Sequence, residues 1–155
     1  MYSNVNIYTM TTYKSPRQKS GVIGYLIEVP TEKGPATCLK YEEIREKTIN
    51  GAELQAIVKA LRRLTKDAAE IAVYTDCAYV ANAVANGWAE RWRQNGWKNE
   101  KKKDISSRDL WEEMLDLLVG KHISFHVKEH HSYSNCMRFE IEQIEHKKEG
   151  RTQYV

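Results

Sequence analysis

Three acids stand where the character of the chain changes: Glu53 in NGAELQAI, Asp76 in VYTDCAYV and Glu140 in NCMRFEIEQ. Two-metal hydrolysis of a phosphodiester needs several carboxylates, drawn from separate elements and held rigidly around ions ~4 Å apart. Each acid alone also has a plainer reading. A carboxylate in the first turn of a helix complements the macrodipole, and one in a late helix is ordinarily solvated. His130, followed by His131 in FHVKEHH, is a further candidate, although neighbouring loop histidines are ordinarily surface residues. Cys77 and Cys136 flank the acids without a neighbour that would activate a thiolate, so both read as small buried packing residues.

A second group of residues points to binding. Trp88, Trp92 and Trp97 interleave with Arg91, Arg93, Lys98, Lys101, Lys102 and Lys103, six cations against Glu90 and Glu100, in a chain whose whole net charge is +3. Such a segment lays cations on phosphates while aromatics anchor it or pack on a sugar. The plainer reading, in which tryptophans only dock the segment to the body, is taken for Trp88 and Trp111.

The elements that must position these groups follow from periodicity. Residues 5–9 alternate apolar and polar as a short first strand with Met10 at its end, and GVIGYLIEV (residues 21–29) reads as a second strand stopped by Pro30. Residues 36–41, with a broken continuation over 45–48, complete an antiparallel meander. Helical spacing of Leu54, Ile57, Val58, Leu61 and Leu64 predicts a helix over 52–64 with Glu53 in its first turn. Residues 71–75 form a β-branched run ending at Asp76, and helices are expected over 79–86, over 107–119 with Ser106 or Ser107 as cap, and over 135–147, with a strand at 123–128. Strands first, then helix and strand alternating, predict an α/β fold: a five-stranded mixed sheet with helices on both faces.

The 155 residues suit one domain, placed at 1–147, with a frayed polar tail at 148–155. Three cysteines, Cys38, Cys77 and Cys136, give no CxxC pair and no zinc pattern, so a reducing compartment is expected. With no apolar leader and no run of membrane-spanning length, the reading is a cytoplasmic protein without membrane contact, and a monomer.

The wording around these residues resembles type 1 ribonuclease H over nearly the whole chain, about residues 5–145. VNIYTM is similar to that family's opening strand, NGAELQAI to its helix containing MEL, and VYTDCAYV to its TDSxYV segment. RWRQNGWK, KKK and SSRDLWEEM look like its basic handle and the helix after it, and FHVKEHH like the strand and loop carrying VKGH. The resemblance implies a ribonuclease H-like fold and an endonuclease in which four carboxylates hold two Mg²⁺ or Mn²⁺ ions that cleave the RNA strand of an RNA/DNA hybrid. It assigns Glu53, Asp76 and Glu140 as metal ligands and His130 to proton or product handling. It makes Asn50 a minor-groove reader, and Trp88, Trp92, Arg93, Trp97, Lys98, Lys102 and Lys103 the duplex-gripping set.

The chain departs from the family at the first carboxylate. Met10 stands where the family has Asp, followed by Thr11 and Thr12 in place of glycine and serine, and a soft uncharged thioether cannot replace a hard oxygen ligand. The loop HHSYSNCMR also lacks the usual glycines and acid. The expectation is a protein that binds hybrid or other duplex nucleic acid with hydrolysis impaired or lost, and with the ions bound weakly or not at all. The alternatives are an active ribonuclease H with a non-standard metal site and a non-enzymatic interaction module.

Overall fold

Alternation along the opening segment sets the two faces of the sheet. In the computed structural model, which describes residues 2–15, 18–64 and 68–153 (side chains except at 2, 3, 69 and 148–153), strand β1 (Tyr2–Thr11) turns Val5 and Ile7 to one core and Tyr8 and Met10 to another. Strand β2 (Gly21–Val29) does the same, with Tyr25 and Ile27 on the first face and Val22 and Leu26 on the second. Its near-continuous apolar run follows from burial on both sides. After β3 (Ala36–Ile44) and α1 (Ile49–Arg62) come β4 (Ala68–Thr75), α2 (Ala78–Ala85), α3 (Trp88–Gln94), α4 (Arg108–Leu117), β5 (His122–Val127) and α5 (Ser134–Gln153).

The five strands lie in the order β3-β2-β1-β4-β5, antiparallel among β1, β2 and β3 and parallel from β1 through β4 to β5. Helix α1 packs on β1, β2 and α4, burying Leu54, Ile57, Val58 and Leu61 with Trp111 and Met114. Helix α5 covers β1 and β2 from the other side with Met137 and Ile141. This is the mixed sheet with helices on both faces that the sequence pattern predicts. Among the described residues no helix is long and apolar enough to cross a membrane.

Strands β1 and β4 each begin three residues before the expected start, helix α3 is not among those that periodicity predicts, and the bounds of α1, β3 and α5 differ as well. Helix α1 starts at Ile49 because Thr48 caps it, its hydroxyl accepting from the Gly51 amide at 2.9 Å. Glu53 therefore lies in the second turn, beyond the macrodipole's reach, and on the buried face. Strand β3 runs unbroken to Ile44 and has no continuation over 45–48; there the Glu46 carbonyl accepts from the Tyr13 hydroxyl. Helix α5 continues to Gln153, so the tail expected to fray from 148 is helical as far as it is described.

Candidate active site and nucleic-acid interface

Parallel pairing of β1 with β4 sets Tyr8 beside Tyr74, which brings Met10 and Asp76, two residues further on, to one edge of the sheet. Asp76 is exposed there. Glu53 rises from α1 beneath the same edge and is only 4% exposed. Its Oε2 accepts from the Thr9 hydroxyl at 3.0 Å and the Thr75 hydroxyl at 2.9 Å. Burial outweighs those two hydrogen bonds and, with the charge of Asp76 adding to it, pushes the Glu53 carboxyl up from 4.5 to about 7. Met10 faces the α5 side, packed in the cluster with Met137 and Ile141. Met10, Glu53 and Asp76 together line a cavity of about 630 Å³.

Glu140 is a correction. Helix α5 buries Met137 and Ile141, and Arg138, Glu142 and Glu145 flank them along the cavity wall. Glu140 lies about 200° around the helix from Glu142. It accepts from the Cys136 thiol of its own helix at 2.8 Å and lies near Tyr41 of β3, whose hydroxyl pKa is raised by burial first and then by Glu140. Cys136 itself is exposed, not buried as expected. Among the described residues the acids that reach the cavity from α5 are Glu142 and Glu145, the latter accepting from the Thr12 hydroxyl at 3.1 Å. Helical spacing from the buried Met137 and Ile141 was the signal that identifies them.

The loop histidines also exchange places. His130 is exposed, whereas His131 is half-buried with its ring 4.4 Å from that of Tyr8. Burial and the neighbouring His130 hold His131 below its ordinary pKa, while Asp76 and Glu28 oppose that shift. Glu28 lies further along the sheet, accepting from Asn6, Tyr8 and Tyr133, and does not stand in at Met10.

In the basic segment the aromatics divide differently from expectation. Trp97 is 4% exposed and donates its indole N–H to Glu112 at 3.0 Å, so it fastens the segment to α4 and offers no surface to a ligand. Trp92 is half-buried, its ring 5.6 Å from that of the buried Trp111. Trp88, by contrast, is 36% exposed and lines a cleft of about 460 Å³ with Arg91, Lys98 and Lys101. Arg93 is paired with Asp116, and Lys98 lies 3.1 Å from Asp104. Between them the Asn99 carboxamide oxygen accepts from the amides of Lys101 at 2.9 Å and Lys103 at 3.0 Å, a turn that holds Lys101, Lys102 and Lys103 outward. Asn50 lies in the first turn of α1, half-exposed, its Oδ1 3.2 Å from Cys77 Sγ. Burial keeps that thiol protonated.

The family model described as RNase H matches residues 2–138. The chain belongs to the RNase H family. The match takes in Glu53, Asp76, the basic segment and the His130 loop, and stops short of Glu140. A ribonuclease H of Syntrophomonas wolfei is 41% identical over 98 residues, 57% of this chain and 66% of that protein. The chain spans less than two-thirds of the length of such relatives. Among solved structures, the fold is similar to a foamy viral protease-reverse transcriptase in complex with dsDNA (TM-score 0.66, 21% identity, 88% of each chain). It is similar as well to LC9-RNase H1, a type 1 RNase H with the type 2 active-site motif (TM-score 0.66, 19% identity, 85% of this chain and 65% of that one).

Proposed function

We propose that this RNase H-family chain grips RNA/DNA hybrid, or another nucleic-acid duplex, by its backbone, with metal-dependent hydrolysis of the RNA strand impaired or lost. Met10 at the edge shared with Glu53 and Asp76 carries this reading. Mg²⁺ and Mn²⁺ take hard oxygen donors. At this edge Met10 supplies none, Glu53 is desolvated with both Thr9 and Thr75 on one oxygen, and Asp76 alone is open to solvent. Among the described residues no three His, Cys, Asp or Glu side chains gather closely enough to hold an ion. The donor set does not fit a two-ion centre. The Lys101, Lys102 and Lys103 turn and the Trp88 cleft support duplex binding, because the turn offers charge and the cleft adds a stacking surface without a pattern that reads bases.

A second reading is an active enzyme with an unusual ligand set, favoured by Glu142 and Glu145 on the cavity wall. The test is cleavage of a labelled hybrid by the purified chain in Mg²⁺ and in Mn²⁺, beside Asp76→Asn. The duplex-gripping reading expects salt-sensitive binding, cleavage that is absent or only a trace, and an Asp76→Asn variant that binds as well or better. Near-normal cleavage in Mg²⁺ or Mn²⁺ that Asp76→Asn abolishes would establish the second reading.

A further inference from the structure

An asparagine carboxamide offers an acceptor at Oδ1 and two donors at Nδ2, and left to itself can turn either end outward. At Asn50 one end is taken. Cys77 is buried at the start of α2, its amide donating to the Thr75 hydroxyl at 3.1 Å, so strand β4 fixes the sulfur from below. From there the thiol reaches Asn50 Oδ1 at 3.2 Å and donates to it. That leaves Nδ2 for the cavity of about 310 Å³ that Asn50 lines with Tyr79 and Ser107, between α1 and the basic segment.

We propose that Cys77 is a positioning residue, whose thiol locks the Asn50 side chain so that Asn50 presents only its N–H donors to a bound duplex. Donors so placed address acceptor atoms: the ribose 2′-hydroxyl oxygen, purine N3 and pyrimidine O2 of the minor groove, which differ little from one base pair to the next. Asn50 then reads duplex shape without reading sequence. The inference rests on the duplex-binding reading above for its ligand, but the lock itself is a property of the free chain.

The experiment measures hybrid affinity at fixed salt for the unaltered chain, Cys77→Ala, Cys77→Ser, Asn50→Ala and the Cys77→Ala/Asn50→Ala pair. A freed amide loses roughly five- to tenfold in affinity. Cys77→Ser, whose hydroxyl still donates, restores most of it. The double variant binds like Asn50→Ala alone, and the dependence on salt does not change. A purely structural cysteine would instead give losses that add to those of Asn50→Ala, and that result overturns the proposal. So does unchanged affinity in Cys77→Ala when Asn50→Ala binds weakly. Side-chain ¹⁵N relaxation of Asn50 without nucleic acid gives a separate readout: the carboxamide is rigid in the unaltered chain and in Cys77→Ser, and mobile in Cys77→Ala. Absence of hybrid binding by the unaltered chain would sink the duplex reading, and equal mobility in all three proteins would sink the lock.

Discussion

Replacing Glu53 by Gln should stabilise this protein at alkaline pH and leave it unchanged in acid. The folded chain holds the Glu53 carboxyl at about 7 against an ordinary 4.5. Between those values the folded state carries the proton that the unfolded state has released. Stability is therefore fully present below about pH 4.5, falls as pH rises through about 7, and levels off above that. At about 1.4 kcal/mol per pH unit, the distance from 4.5 to about 7 corresponds to roughly 3 kcal/mol withheld from the native state above neutrality. Glutamine keeps a carbonyl oxygen for the Thr9 and Thr75 hydroxyls and carries no charge to desolvate. Urea unfolding at pH 8.5, above the value of about 7 that the folded chain gives Glu53, should show the variant more stable by about 2–3 kcal/mol. On melting, that is an increase of roughly 4–12 °C for a chain of this size. At pH 4.5 the two proteins should unfold together. Parallel stability curves across pH, or a variant less stable at alkaline pH, would show that Glu53 is ionised and well solvated in the folded chain.

The aromatic residues of the basic segment should separate by role. Trp97→Ala leaves a cavity against α4 and should cost about 3–5 kcal/mol by denaturant unfolding, while Trp88→Ala should leave stability nearly unchanged and weaken hybrid binding severalfold by fluorescence anisotropy. Changing Lys101, Lys102 and Lys103 together to Ala should flatten the plot of log affinity against log salt by roughly two to three, and an unaltered slope would remove them from the interface. Met10→Asp sets a carboxylate against Met137 and Ile141, so it should lower stability by about 1–3 kcal/mol. A variant of undiminished stability would show that position 10 is already polar and wet.

The sheet was legible because its two faces are written in the sequence at period two. Strand β2 begins and ends where GVIGYLIEV does, and Val5, Ile7, Tyr8 and Met10 divide between faces as alternation requires. Asp76 was legible because a β-branched run stops beside it. Glu140 misled, because local wording does not fix which flank of a helix meets a cavity. Only the burial of Met137 and Ile141 sets the rotation of α5, and that depends on β1 and β2, more than a hundred residues away. Trp88 and Trp97 exchanged their expected parts for a similar reason. Trp97 takes a left-handed backbone (φ 63°) that turns its indole inward to Glu112, a conformation that composition does not announce. The environment of Glu53 was hidden as well, since Thr9 and Thr75 meet it only once β1 and β4 pair.

Whether the edge shared by Met10, Glu53 and Asp76 has too few oxygen donors for a divalent ion pair is measured by titrating the unaltered chain with Mn²⁺ and counting bound ions by electron paramagnetic resonance. With so few donors no stoichiometric binding is expected at this edge up to millimolar Mn²⁺, and the signal is the same in Asp76→Asn. Two ions bound per chain, lost together in Asp76→Asn, would contradict it.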